Sequence, residues 1–147
     1  MNPNDNLGFL FHHLSSLLDR RSDVLLQQHL QIGFSQFKIM LALASGEGVQ
    51  HKHIAHKLHQ TEASVSRQIK RMGYMRLLTS RVNPDNRRER YVVLTPTGAE
   101  VLRQATILLN DYFGEIFTVL GTDQQIGLRE ALLALDNELT HKVTAST

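Results

Sequence analysis

TEASVSRQIKRM, residues 61–72, is the stretch whose reading decides the fold. Val65, Ile69 and Met72 stand at i, i+4 and i+7, which places them on one face of a helix. Ser64, Arg67, Gln68 and Arg71 repeat that spacing on the opposite face, with Ala63, Ser66 and Lys70 beside them. Thr61 is suited to cap this helix, and Glu62 complements its positive first turn. One side is therefore apolar, while the other offers small hydroxyls, an amide and long cations. Two readings fit that outer side. It is either the solvated face of an ordinary amphipathic helix, or a surface for the major groove of duplex DNA. In such a groove small side chains allow close approach, Gln pairs with adenine, and Arg grips guanine or a phosphate.

The neighbouring segments favour the second reading. Upstream, residues 51–58 predict a short helix with Ile54, Ala55 and Leu58 as its apolar face, and His59-Gln60 forms a tight turn into the next helix. Two helices joined in this way make a helix-turn-helix. Downstream, the period changes from 3.6 to 2. Leu77 to Val82 and Arg90 to Leu94 read as strands flanking the turn-rich Asn83-Pro84-Asp85-Asn86. Arg87, Arg88 and Arg90 follow that turn. A basic hairpin tip is either solubilising charge or a wing whose arginines enter the minor groove, where the negative potential attracts them.

The charge distribution agrees. Residues 50–91 hold ten Lys/Arg and three acids, and the rest of the chain holds six Lys/Arg and eleven acids. A basic middle between acidic flanks suggests a polyanionic partner. The chain has 147 residues, enough for one domain with a proper core. It has no cysteine, which excludes disulfides, thiolate metal sites and thiol redox sensing. No apolar run approaches the roughly 20 residues that cross a bilayer. The N-terminal residues lack the basic start and small-residue cleavage site of a signal peptide, so a cytoplasmic location is expected.

Residues 7–30 predict a long amphipathic helix through Leu7, Leu10, Leu14, Leu17, Leu18 and Leu25, broken by Ile32-Gly33-Phe34. Ser35 is read as the cap of a second helix whose inward residues are Phe37, Met40, Leu41 and Ala44, and which ends at Ser45–Gly48. Thr95-Pro96 opens a helix over 97–119 with Leu102, Ala105, Leu109, Tyr112 and Ile116 on one stripe. Gly121 stops it. Thr122 and Gln125 form a capping-box pattern that starts a last helix over about 123–143. The expected fold class is mainly α with a small β-hairpin wing: a winged helix-turn-helix between helical ends.

At this point the ordered series Ala63-Ser-Val-Ser-Arg67, Asn83-Pro84, Asn86-Arg-Arg88 and Leu94-Thr-Pro-Thr-Gly98 resembles the MarR family of bacterial transcription regulators, over roughly residues 7–142. The resemblance implies one domain over 1–147. Its DNA-binding lobe would span about 34–95, and its dimerisation helices about 5–31 and 97–145. It also implies a homodimer whose terminal helices interlock. The family's usual activity is repression from a pseudo-palindromic operator, relieved by a small ligand. By position, Ser64, Ser66, Arg67, Gln68 and Arg71 match the family's recognition-helix contacts, and Arg88 with Arg87 matches its wing arginine. Thr61 and Lys70 complete the set assigned to DNA. Two positions depart from the family pattern: it has Asp where this chain has Asn86, and a glycine after the recognition helix where this chain has Arg76.

Pairing is also expected from the residues alone. Leu7, Phe9, Leu10 and Phe11 at one end, and Ile126, Leu128, Leu132, Leu133, Leu135 and Leu139 at the other, surround more than one helix side. Such surface packs internally or meets a partner. A two-fold dimer would set two recognition helices one DNA turn apart, roughly 34 Å. The family's effector pocket lies between its dimerisation helices and its DNA-binding lobe. His12, His13, Phe37 and Tyr112 are the candidate lining here, although aromatic residues at helical spacing commonly serve as core.

His51, His53, His56 and His59 cluster on the short helix and its turn. The spacing admits a metal pair, a set of contacts to the DNA backbone, or DNA affinity that rises below about pH 6.5. Without Cys or a nearby acid, no metal site or cofactor is assigned. An exposed protein-interaction helix would be more apolar than Ser64, Arg67, Gln68 and Arg71. No Ser/His/Asp order, paired acids or phosphate-cradling loop points to an enzyme.

Overall fold

A computed structural model describes residues 6–145, with side chains as far as residue 142. The ends of the expected domain, residues 1–5 and 146–147, lie outside the described residues, and with them the first residue of the expected 5–31 helix. The elements in order are α1 (Leu7–Leu30), α2 (Phe34–Ala42), α3 (His51–Lys57), α4 (Glu62–Tyr74), β1 (Leu78–Val82), β2 (Arg90–Leu94), α5 (Pro96–Phe117) and α6 (Thr122–Ala145). The chain divides into two compact units, Met1–Leu109 and Asn110–Thr147, with the boundary inside α5.

In the first unit several helix ends are satisfied by identifiable groups. The Asn6 side chain caps α1 by accepting from the Gly8 and Phe9 N–H groups at 2.9 and 3.3 Å. Gln31 ends α1 in the left-handed region at φ 57°. α2 begins one residue before its expected cap. Gly33, not Ser35, is its N-cap. Glycine brings no capping side chain, so two others serve instead: Gln36 Oε1 accepts from the Gly33 N–H at 2.8 Å, and Asp23 Oδ1 from the Phe34 N–H at 2.8 Å. The second bond ties α1 to the start of α2.

The inward face of α2 is also corrected. Phe37 and Met40 are buried as expected, but Leu41 and Ala44 are exposed. Ile39, Ala42 and Leu43 are buried in their place. Two apolar stripes about one residue apart compete on this helix, and the one carrying the β-branched Ile39 packs. The core of this unit joins Leu26, Ile32, Ile39, Met40 and Leu43 to Ile54, Val65 and Met72 of the helix-turn-helix and to Val92 of the hairpin.

β1 and β2 pair antiparallel from Leu78↔Leu94 to Val82↔Arg90. Val49 adds a one-residue third strand, exchanging both backbone hydrogen bonds with Val92 at 3.0 and 2.9 Å. Gly48 makes this possible. Its φ is +82°, and a Cβ there would lie 3.0 Å from Tyr91 Cβ and 3.1 Å from Val93 Cγ1. A single bridging residue has no period, so the sequence pattern carries no trace of it.

Thr95 joins the hairpin to α5. Its hydroxyl donates to the Arg76 and Leu77 carbonyls at 2.6 and 3.1 Å and accepts from the Gly98 N–H at 2.9 Å. The Thr95 N–H also bonds the Leu77 carbonyl at 3.0 Å. A Cβ on Gly98 would collide with that same Leu77 carbonyl, which is why glycine stands in the first turn of α5. Leu102, Ala105 and Leu109 continue the buried stripe of α5.

In the second unit, α6 starts at Thr122 instead of using it as a cap. Gln124 Oε1 accepts from the Gly121 N–H at 3.0 Å, so the reciprocal contact is shifted by one residue. Gln125 turns back and donates to the Phe117 and Leu120 carbonyls, each at 3.0 Å. Ile126, Leu128, Leu132, Leu133, Leu135 and Leu139 are all exposed, as are Leu7, Phe9, Leu10, Phe11, Leu14 and Leu17 in the first half of α1. No helix among the described residues is long and apolar enough to cross a membrane.

Candidate nucleic-acid interface

α3 and α4 are joined by a tight, hydrogen-bonded turn. His59 adopts φ 51°. The His59 N–H bonds the His56 carbonyl at 3.2 Å and the Gln60 N–H bonds the Ala55 carbonyl at 2.9 Å, which together form a Schellman closure. Histidine is among the few non-glycine residues that visit the left-handed region readily. Thr61 Oγ1 then caps α4 by accepting from the Ser64 N–H at 3.2 Å.

α4 leaves by the same device. Arg76 lies at φ 58°, its N–H bonds the Gly73 carbonyl at 2.9 Å, and the Leu77 N–H bonds the Met72 carbonyl at 3.0 Å. This is the position where the resemblance calls for glycine. The geometry explains that preference: the residue is left-handed, and Arg76 adopts it against the steric cost that an L side chain meets there.

Val65, Ile69 and Met72 are buried and fix the rotation of α4 about its axis. Arg67, Lys70 and Arg71 are consequently exposed, while Ser64, Ser66 and Gln68 are half-buried. These residues do not all face the same way. Ser66 turns toward α3, where its hydroxyl lies 3.1 Å from His51 Nδ1. Lys70 borders an open hollow of about 270 Å³ together with His51, Ser66 and residues 78–80. Gln68 is held from the turn: its Nε2 donates to Gln60 Oε1 at 3.2 Å and lies 3.4 Å from Ser64 Oγ. Gln68 Oε1 is buried without a hydrogen-bond partner.

The wing is organised by Asn83. Its Nδ2 donates to Glu89 Oε2 at 2.9 Å and to Tyr91 Oη at 3.2 Å, and its Oδ1 accepts from the Asp85 N–H at 3.0 Å. Tyr91 Oη also donates to Glu89 Oε2 at 3.3 Å. The bond from Asn83 is the chief reason the Glu89 carboxyl sits below its ordinary range, assisted by Tyr91 and opposed by partial desolvation. Asn86, where the family has Asp, accepts from the Arg88 backbone N–H at 3.2 Å through Oδ1. It therefore shapes the turn through the backbone. Arg88 and Arg90 line a second open hollow, about 420 Å³, with Glu89 and Ser80 of the hairpin, Gln50, His51 and Lys52 at the start of α3, and Glu62 at the start of α4. The wing and the helix-turn-helix thus meet at one place.

The ion pairs among the described residues lie elsewhere: Arg103 with Glu100 on α5 at 2.7 Å, and Lys142 with Glu138 on α6 at 3.1 Å. Glu100 is drawn down to about 2 by its bond from Arg103. No carboxylate among the described residues pairs with Arg67, Lys70, Arg71, Arg87, Arg88 or Arg90. One lobe therefore presents six cations without an ion-pair partner on α4 and the wing.

The remaining candidate residues are more dispersed. His12 and His13 are exposed on α1. Phe37 is buried in the first unit and stacks on Phe34 with ring centroids 6.0 Å apart. Tyr112 is half-buried in the second unit beside Phe113. Among the described residues no three His, Asp or Glu side chains converge so as to hold a metal ion, and His51 is engaged by Ser66. The sequence placed Gln60 and Asn83 in turns but gave no sign of the Gln60–Gln68 bond or of the Asn83–Glu89–Tyr91 hub, whose partners are specified only by the folded chain.

A helix-turn-helix followed by a paired, basic hairpin defines a winged helix-turn-helix. No protein-family model matches the chain, and no curated protein matches it. Solved structures do. MarR from E. coli in its apo form aligns with TM-score 0.80 and 24% identity, covering 88% of this chain and 96% of that one. A MepR–DNA complex from S. aureus aligns with TM-score 0.77 and 18% identity, covering 90% and 98%. CouR from Rhodococcus jostii RHA1, bound to p-coumaroyl-CoA, aligns with TM-score 0.78 and 15% identity, covering 92% and 94%. The fold is that of the MarR-like winged helix-turn-helix regulators.

Proposed function

We propose that this chain is a sequence-specific DNA-binding transcription regulator of the cytoplasm, a homodimer that represses from a pseudo-palindromic operator and whose affinity a small ligand modulates. The observation that carries this reading is the set of unpaired cations on α4 and the wing. Arg and Lys clustered on one surface without ion-pair partners are the electrostatic footprint of a polyanion partner. Arg67, Gln68 and Arg71, with Ser64, are assigned to the major groove. Arg87 and Arg88 are assigned to the minor groove or its phosphates, and Thr61, Ser66 and Lys70 to the flanking backbone.

The similar MepR chain was solved with DNA and the similar CouR chain with a small ligand, which supports both halves of the proposal. Homodimerisation is supported by the apolar rows left exposed on α1 and α6, Leu7 being 84% and Leu139 62% exposed. Ligand control is then a population shift: a molecule that prefers a lobe spacing unsuited to successive grooves lowers DNA affinity. His12, His13, Phe37 and Tyr112 are the residues offered for that pocket.

The test is selection of bound duplexes from a random pool. The expected product is an inverted repeat with half-sites about 10 base pairs apart, centre to centre. Failure to retain any duplex at low ionic strength overturns the reading.

A further inference from the structure

The hollow of about 420 Å³ between the wing and the helix-turn-helix collects charge from four places in the fold. Lys52 comes from α3, Glu62 from the start of α4, Arg88 and Glu89 from the wing, and Arg90 from the start of β2. Among the described residues none of the five takes part in an ion pair. Each carboxylate has a structural role of its own. Glu62 complements the first turn of α4. Glu89 accepts from Asn83 and Tyr91 at 2.9 and 3.3 Å, and Lys52 adds only the pull of its charge. Three Lys/Arg against two Glu leave the hollow with an excess of one positive charge.

Its place in the fold suggests what that charge is for. In a duplex, one sugar-phosphate strand separates the major groove from the minor groove beside it. With α4 in the major groove and the wing in the adjacent minor groove, that strand has to pass between them. The hollow is the space there, bounded by the start of α4 on one side and by the wing on the other. A phosphodiester carries one negative charge, and its oxygens accept from lysine and arginine alike. Lys52 and Arg90 have no part in the assignments made above, yet they approach this space from two different elements.

We propose that the hollow is a seat for one DNA phosphate, held by Lys52 and Arg90 and opposed by Glu62. The inference rests on the DNA-binding reading above and adds to it a backbone clamp between the two elements directed at the grooves. Such a clamp carries no sequence information and instead fixes how the lobe sits on the duplex.

The test uses the full chain with two duplexes, the one it selects and one of unrelated sequence, in fluorescence-anisotropy titrations at one salt concentration. Lys52→Gln and Arg90→Gln are each expected to weaken binding about threefold to tenfold, by the same factor on both duplexes. Glu62→Gln should tighten binding to both by about threefold. Lys52→Gln/Glu62→Gln restores the net charge of the hollow and should recover most of the affinity, and Lys52→Arg should bind like the unsubstituted chain. Lys57 ends the same helix, is exposed, and lies outside the hollow. Lys57→Gln is therefore a control of equal charge and should alter affinity by less than about twofold.

Equal losses in Lys52→Gln and Lys57→Gln would reveal a diffuse field without a seat and would overturn the proposal. So would unchanged binding in Lys52→Gln, or weaker binding in Glu62→Gln. A loss in Lys52→Gln confined to the selected duplex would make Lys52 a base contact and would overturn it as well. In each of these cases the unsubstituted chain still selects its operator, and the reading of the previous section stands. Failure of the unsubstituted chain to select any duplex overturns both.

Discussion

Asn83 Nδ2 donates to the Glu89 carboxylate at 2.9 Å across the foot of the wing, and Tyr91 Oη closes the triangle from the second strand. The arginines between Asn83 and Tyr91 are thus carried on a turn with a braced base. Removing the brace without altering charge is expected to loosen the wing. Asn83→Ala should weaken duplex binding by about threefold to tenfold, the scale of one net hydrogen bond, in a fluorescence-anisotropy titration. Unchanged affinity would mean that the hub does not order the DNA-facing loop.

The same hub predicts a pH response. The Glu89 carboxyl is lowered below its unfolded value of 4.5, chiefly by the bond from Asn83. A lowered acid stabilises the folded arrangement above the unfolded value, and this contribution is lost as pH falls through the folded one. The NMR signals of the Asn83 side-chain amide should therefore hold steady at neutral pH and shift on acidification below 4.5. Glu89→Gln should abolish that step. A titration midpoint above 4.5 contradicts the assignment.

Arg67 and Arg88 should differ in kind. Arg67→Ala is expected to cost about 1–3 kcal/mol on the selected operator and to relax base choice at one position, as removal of a base-edge contact does. Arg88→Ala should instead weaken all duplexes and flatten the dependence of affinity on salt by about one unit of slope. A uniform loss for Arg67 would reassign it to phosphate, and an unaltered salt slope for Arg88 would take the wing out of the interface.

Two backbone positions predict opposite changes in stability. A Cβ at residue 98 would strike the Leu77 carbonyl, so Gly98→Ala should destabilise by about 3 kcal/mol. Arg76 already endures a left-handed backbone at φ 58°. Arg76→Gly relieves that strain, partly offset by greater freedom of the unfolded chain, for a net gain of about 0.5 kcal/mol. Urea denaturation measures both, and a loss of stability in Arg76→Gly would mean that its side chain packs more than its backbone suffers.

For assembly, sedimentation equilibrium at micromolar concentration should return twice the 16.7 kDa chain mass. Charges placed in the exposed rows, Leu10→Glu with Leu132→Glu, should return it to one. A monomeric unsubstituted chain would remove the dimer from the proposal.

The helix-turn-helix was legible because its inner and outer faces differ in chemistry at a fixed spacing. Val65, Ile69 and Met72 announce the buried side, and a register shifted by one residue in either direction would bury Lys70 or Arg71. The wing was legible from the change of period and from Asn83-Pro84. What stayed hidden depended on single contacts between distant residues. Ser35 looks like a cap, but Asp23, eleven residues before Phe34, supplies the acceptor. Val49 pairs with one residue and so leaves no alternation to read. On α2 the choice between neighbouring apolar stripes was made by the partners of Ile39 and Leu43, which the helix itself does not encode. Gln60 is a polar residue in a turn, and nothing local distinguishes one that grips Gln68 from one that faces water.

Thr95 and Gly98 fasten the beginning of α5 to the end of α4 through the Arg76 and Leu77 carbonyls. Three hydrogen bonds and a hard steric contact leave no hinge at that joint. The first turn of α5 and the end of α4 are therefore tied together, and a displacement of one is expected to carry the other with it. A mutation that softened the joint would leave the exposed face of α4 unchanged and yet uncouple it from α5.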